Sequence, residues 1–286
     1  MRVWQADAVK VSQIWSYPVK SMVGQRVDSC DVSMLGIEGD RHWAIRDMER
    51  GGIRGAKRIG GLMQFSAELV GGSRNVIITL PNGATVRSND KDVHDVLSAA
   101  LGVRVRLEPL PADGNIEHFR RGPAYESDPM KELQGVFGRD DGEPLPNFAV
   151  FPPEVVEFES PPGTHYDCWP LMVMTTSAFD ALRAALPGSV IDEKRFRPSI
   201  VIDGAEAGHA EFGWKGRVAS IGSAVIEFLD PCPRCVMPTR RINESIPEDR
   251  AILRHIVRDL DQNLGVYARI VRPGRFALGD TMQFVN

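Results

Sequence analysis

Apolar and polar residues alternate along most of the chain in short runs cut by Gly, Pro and Asn, the period-two signature of half-buried strands. Residues 9–16, 27–34, 41–47, 75–80 and 84–87 read this way. Pro81, Asn82 and Gly83 join the last two runs and tolerate turn dihedrals, which predicts a hairpin. Asp90 is placed to cap a helix over 91–101, where Val93, Val96, Leu97, Ala100 and Leu101 recur at helical spacing, and a strand follows over 103–107. These elements predict a strand-rich domain over 1–112.

From 113 to 164 the pattern fades and Gly, Pro, Asp, Glu and Arg prevail, as in 139–144 and 160–163, so this stretch reads as a linker or lid. Periodicity returns at 171–174 as a buried-type strand and leads into a helix over 178–186, with Ser177 and Asp180 forming a start that resembles a capping box. Further strands are predicted over 198–202, 217–221, 224–229, 266–271 and 281–285, with an amphipathic helix over 247–260. Many strands and few helices predict a mainly β, α+β fold: a β-barrel core over 165–286, preceded by the strand-rich domain, with a few peripheral helices.

With 286 residues, 43% hydrophobic and 25% charged, the chain falls in the globular range and can bury a full core, which excludes disorder as a whole. Its 4 Cys are too few for a secreted disulfide framework and point to a reducing compartment. The 34 Lys+Arg against 38 Asp+Glu give a net charge of -4, so no global basic field draws it to nucleic acid or a membrane, and any anion site must be local. No apolar run has spanning length and residues 1–17 lack the core of a signal peptide, so a cytoplasmic location is expected.

Five places could carry chemistry. Cys232 and Cys235 stand three positions apart in Asp230-Pro231-Cys232-Pro233-Arg234-Cys235, expected on a loop after a strand ending at Leu229. This pair fits structural zinc, a redox disulfide, or one thiolate ligand for a soft metal with Arg234 beside it; two buried cysteines in a proline-stiffened loop fit as well. Lys20 and Ser21 follow a strand broken by Pro18 and set an ammonium beside a hydroxyl, a pairing suited to phosphate, although a solvated surface pair looks the same. Arg41 and Arg197 open strands and could clamp an oxyanion or simply pair with surface acids. Thr175, Thr176 and Ser177 sit at a helix N-terminus, where an anion or plain capping would suit them. The six His show no ligand spacing, and no Gly-rich phosphate loop or nucleophile elbow occurs.

Taken in order, Tyr17-Pro18-Val19-Lys20-Ser21, Gly39-Asp40-Arg41-His42-Trp43, Phe196-Arg197-Pro198-Ser199-Ile200-Val201-Ile202, Pro233-Arg234-Cys235 and Gly279-Asp280 resemble the MOSC domain superfamily with its N-terminal β-barrel domain, as in mitochondrial amidoxime reducing components and their bacterial relatives. The resemblance implies a pterin-dithiolene molybdenum cofactor between two domains, with Cys235 as the metal ligand and catalytic residue. It puts Lys20, Ser21 and Arg41 on the cofactor's phosphate, with Arg197 and Thr175, Thr176 and Ser177 helping to hold pterin and phosphate. Ser199, Pro233 and Arg234 fall in the motifs that touch the cofactor. Two departures bear on the pterin contacts: Cys235 is followed by Val236-Met237-Pro238-Thr239 where relatives often carry two Thr, and Ser199 stands where Asn is common.

The implied activity is a molybdenum-cofactor oxidoreductase that reduces N-hydroxylated or N-oxide small-molecule substrates. No further Cys cluster with ferredoxin spacing follows, so the electrons are expected from a separate flavin, haem or iron–sulfur protein. The alternatives are a cofactor carrier or sulfur-transfer module working through a Cys235 persulfide, and a binding barrel that has lost the chemistry.

Overall fold

A computed structural model describes residues 9–112 and 114–285; Asp113, where the expected linker begins, and the two chain ends lie outside the described residues. The largest element is an eight-stranded sheet ordered Met282–Val285, Val218–Ile221, Ala224–Pro233, Asn263–Arg272, Leu171–Thr175, Ile200–Asp203, Lys10–Ser16 and Gln25–Val27. Its neighbours are antiparallel except for Leu171–Thr175 and Ile200–Asp203, which run parallel. Parallel neighbours need a crossover, and the helix Thr176–Ala185 lies in the connection between them.

The fold is strand-rich with few helices, as expected, but the expected barrel does not close through a strand ladder among the described residues. The sheet curls until Lys10 bridges Thr281, with the Val11 amide donating to the Asp280 carbonyl (2.9 Å) and the Met282 amide to the Val9 carbonyl (2.8 Å). The reason is competition for edges. Lys10–Ser16 is already paired with Ile200–Asp203 on one side and, from Ile14 onward, with Gln25–Val27 on the other, so only its beginning is left for the last strand.

Among the described residues, three three-stranded sheets complete the β structure: Val105–Pro109, Trp43–Asp47 and Ile53–Arg54; Gly274–Ala277, Ser29–Ser33 and Gly36–Ile37; and Ser66–Leu69, Val76–Thr79 and Thr85–Arg87. The predicted hairpin is present, with Thr79 opposite Thr85 and Gly83 at φ 85°. One core cluster gathers Met22, Ile45, Phe65, Ile78 and Leu97, and a second packs Ile14, Val173, Ile200 and Phe228 across the large sheet.

Several boundaries moved for identifiable reasons. The run predicted at 27–34 splits at Asp28, because Gln25–Val27 pairs with Lys10–Ser16 while Ser29–Ser33 pairs with Gly274–Ala277. The first helix starts at Val93, and the Asp90 carboxylate accepts from the Arg87 amide (2.7 Å) instead of capping it. The helix after Leu171–Thr175 is capped by Thr175 and not by Ser177. Ala224–Pro233 runs on through the expected loop as strand, with register shifts on both sides of Pro231, where a residue lacking an N–H is tolerated. The 113–164 stretch holds the helix Pro129–Phe137, capped by Asp128 and ended by left-handed Gly138 (φ 62°). Pro just inside the start and Gly just past the end were readable signals in that stretch.

Candidate functional site

The loop after Lys10–Ser16 turns back on itself because Pro18 cannot extend the ladder. Gly24 closes the turn, and a Cβ there would collide with the Ser16 carbonyl oxygen. Ser21 takes φ 69°, and its Oγ accepts from the Ala56 amide (2.9 Å). That contact ties the loop to Gly55, where an added Cβ would meet Ser21 Oγ at 2.7 Å, and so brings Lys57 alongside Lys20. Lys20 is buried and donates to Ser160 Oγ (3.2 Å), the His165 carbonyl (2.8 Å) and the Asp167 carboxylate. The other Asp167 oxygen lies 3.1 Å from Lys57 Nζ. Burial alone would raise the Asp167 pKa, but Lys20 and Lys57 together hold it well below the usual carboxylate range. Burial pulls the Lys20 ammonium down despite that partner.

Arg41 and Arg197 converge on one aromatic platform, with guanidinium carbons 4.7 Å and 4.2 Å from the Tyr17 ring centre. Asp40 is buried, accepts from the Tyr17 amide and pairs with Arg41. Arg197 has no carboxylate partner among the described residues; it donates to the Met22 carbonyl. Burial and then the repulsion of Arg41 lower its pKa to about 10, so it stays charged at neutral pH. Of the five non-glycine residues with positive φ among the described residues, Ser21, Arg41 and Arg197 are three. Each such conformation costs about 1–2 kcal/mol, and surrounding structure must impose it.

The opposite wall carries the thiols. Strand Ala224–Pro233 delivers Cys232 into the core, where burial raises its pKa and Arg234 Nη1 lies 3.5 Å from its sulfur. Arg234 Nη2 donates to the Phe196 carbonyl (2.7 Å). Cys235, two residues beyond the strand, is half-buried. The 113–164 stretch pins its backbone on both sides: the Val136 carbonyl accepts from the Val236 amide (3.1 Å), and Arg139 donates to the Arg234 carbonyl (3.2 Å). Buried Arg195 braces the continuation of the loop through the Pro238 (3.1 Å) and Arg240 (3.2 Å) carbonyls. Lys57 and Arg139 both lie within electrostatic reach of the Cys235 sulfur.

These walls enclose a cleft of about 140 Å³ that brings together Lys20, Ser21, Arg41, Arg197, Pro233, Arg234 and Cys235 of the sequence-predicted set. It does not bring in the other four. Thr175 Oγ1 donates to Glu211 (2.9 Å), Thr176 Oγ1 to Asp203 (2.6 Å) and Ser177 Oγ to the Gly208 carbonyl (3.0 Å). Ser199 Oγ accepts from the Met172 amide (3.2 Å) between two strands. Sequence reasoning passed over Lys57 and Asp167 and gave Cys168, whose thiol also lines the cleft, no role. Only Gly55-Ala56-Lys57, a basic turn after a strand, offered a local signal. Among the described residues, six cationic side chains line the cleft against one carboxylate. No group of three or more His, Cys, Asp or Glu that could hold a metal ion occurs among the described residues, which leaves the zinc reading without a ligand set.

The chain belongs to the MOSC domain superfamily: residues 162–283 match the MOSC domain and residues 8–112 the MOSC N-terminal beta barrel domain. This is a molybdenum-cofactor-binding domain family. The chain is 25% identical over 264 residues to mitochondrial amidoxime-reducing component 1 of Xenopus laevis, covering 82% of this chain and 67% of that protein. It is 24% identical over 242 residues to mitochondrial amidoxime reducing component 2 of Homo sapiens, covering 80% and 66%. The chain therefore spans about two thirds of the length of these curated relatives. Among solved structures it is similar to the YUAD protein from Bacillus subtilis (TM-score 0.45, 11% identity, 99% of this chain and 98% of that one). It is also similar to YiiM from Geobacillus stearothermophilus (TM-score 0.33, 14% identity, 41% and 55%). No helix among the described residues is long and apolar enough to cross a membrane.

The donor set fits the family's cofactor. A single half-buried thiol suits a soft metal, and the cationic wall facing it suits a phosphate tail.

Proposed function

We propose that this chain is a molybdenum-cofactor-dependent oxidoreductase that removes oxygen from N-hydroxylated or N-oxide substrates, in the cytoplasm, with electrons from a separate donor protein. The observation that supports it is the Cys235 thiol set in the wall of a cleft lined by six cations and one carboxylate. The cofactor, when bound, supplies two-electron redox chemistry at its metal. The chain's own residues do the rest. Cys235 holds the metal, and the Val136 and Arg139 contacts fix its loop so that the sulfur keeps one direction. Lys20, Ser21 and Arg41 hold the phosphate, with Arg197 and Arg234 supplying charge beside the pterin. Phe137, Phe151 and Trp169 give the cleft an apolar side that excludes water and admits a small organic substrate.

The test compares wild type with Cys235→Ala, both made in a host that synthesises the cofactor. Metal analysis, fluorescence of the oxidised pterin and benzamidoxime reduction with a supplied donor are the readouts. Wild type should carry molybdenum and pterin stoichiometrically, and Cys235→Ala should lose turnover with its unfolding midpoint kept. Full turnover by Cys235→Ala overturns the proposal. Exchangeable, substoichiometric cofactor together with a persulfide on Cys235 identifies a carrier instead.

A further inference from the structure

Asp167, the single carboxylate of the cationic wall among the described residues, is placed asymmetrically with respect to its partners. An ammonium has three protons, and Lys20 directs its own at Ser160 Oγ, the His165 carbonyl and Asp167. Two of these acceptors are neutral and fixed by the fold. The third is charged, and it is the accessible one: the Asp167 side chain is 37% exposed and that of Lys20 3%. One Asp167 oxygen serves Lys20 and the other Lys57, so the carboxylate bridges two cations as two oxygens of a phosphate would. Glu159, the other acid within electrostatic reach of both lysines, is held by Arg121 (2.9 Å).

We propose that Asp167 is an exchangeable counter-ion, which an incoming phosphate group displaces from between Lys20 and Lys57, making Lys57 a phosphate-holding residue. The inference rests on the reading of this wall as the seat of a phosphate. Exchange needs no rearrangement of the buried partner: Lys20 keeps Ser160 and His165, and the carboxylate swings toward water. A phosphate dianion returns more charge to the two ammonium groups than the carboxylate removes, whereas a monoanion gains nothing over it. Ser21 adds a donor at the same place, because its Oγ accepts from Ala56 and leaves its own proton to give. The device keeps two neighbouring ammonium groups compensated without phosphate and selects for dianions.

The test uses the full chain prepared in a host that makes no pterin, titrated with inorganic phosphate and separately with phenyl phosphate. Calorimetry and the unfolding midpoint are the readouts. Asp167→Asn should bind phosphate about tenfold tighter than wild type, because nothing charged has to leave. Its unfolding midpoint should lie below that of wild type without phosphate, and the gap should close as phosphate is added. Lys57→Gln should weaken binding about fivefold or more. Tighter binding of phenyl phosphate marks a monoester as the occupant and tighter inorganic phosphate the free ion; either order supports exchange. Equal or weaker phosphate binding by Asp167→Asn overturns it. If that variant does not fold, an unchanged phosphate affinity in Lys57→Gln overturns it instead. Should phosphate fail to discriminate the variants while molybdenum and pterin still co-purify from a competent host, only the exchange is lost. Clean exchange without metal or pterin removes the oxidoreductase reading and leaves Asp167 its role.

Discussion

Two stretches look equally ready to hold an anion when read as sequence: the hydroxyls of Thr175, Thr176 and Ser177 at a helix N-terminus, and Lys20-Ser21 with Arg41 and Arg197. The folded chain treats them oppositely. At the helix start the hydroxyls are already taken by the chain's own acceptors, Glu211 and Asp203 among them, and Thr175 Oγ1 also caps the Ala178 amide (3.1 Å). In the cleft the cations outnumber the carboxylates, and three of the residues present their side chains from a left-handed backbone. Donors and a helix dipole therefore make an anion site only where local charge is left unbalanced, and that balance is set by partners remote in sequence.

The comparison breaks most sharply at Arg197. Arg197→Gly relieves a left-handed backbone by about 1 kcal/mol, forfeits stacking on Tyr17 of similar size and leaves the buried Met22 carbonyl without its donor, so unfolding should report only about 1–3 kcal/mol lost. Molybdenum retained per chain after dialysis should nevertheless fall at least about tenfold, since a buried, unpaired cation is gone. A collapse of stability alongside retention would make Arg197 a strut and erase the contrast.

Thr175→Ala should do the reverse. It removes a helix cap worth about 1 kcal/mol and leaves a fully buried carboxylate, Glu211, without its hydroxyl donor at a further cost of about 1–3 kcal/mol. Denaturant unfolding should report about 2–4 kcal/mol lost, with molybdenum retention at the wild-type level. Loss of retention in this variant would put the helix N-terminus back in the site.

What could be read in advance follows the same division. The strands and the hairpin were legible because alternation is local, and seven of the residues that line the cleft were legible as motif members. Lys57 and Asp167 were not, because neither belongs to a motif and their pairing exists only once the Gly55 turn closes on Ser21. The helix Pro129–Phe137 was hidden by its charged surroundings although its caps were written in Asp128, Pro129 and Gly138. Whether the barrel would close was beyond any local pattern, since it depends on which edge of Lys10–Ser16 is already occupied.

The smallest effect concerns pH and separates the two stretches once more. The Arg41 carbonyl can only accept, so His165 carries its proton on Nδ1 and donates to it (3.1 Å). His165 Nε2 is then left to accept from His118 Nε2 (2.8 Å), while His118 Nδ1 faces both Arg46 (3.3 Å) and the Glu108 carboxylate (3.5 Å). This arrangement needs His165 neutral, since a proton added to it would set N–H against N–H. Burial first, then Lys20 and His118, hold the His165 pKa well below its ordinary value. The sign follows: below about pH 6.5 the unfolded chain binds a proton that the native ring refuses, so stability falls as pH drops, by up to about 1.4 kcal/mol per unit for one such group. Half-buried His42 adds a smaller contribution of the same sign. Unfolding measured between pH 6.5 and 5.5 should show this slope in wild type and in Thr175→Ala, and most of it should vanish in His165→Gln. If His165→Gln keeps the full slope, the ring that holds Arg41 is not what makes the cleft wall sensitive to acid.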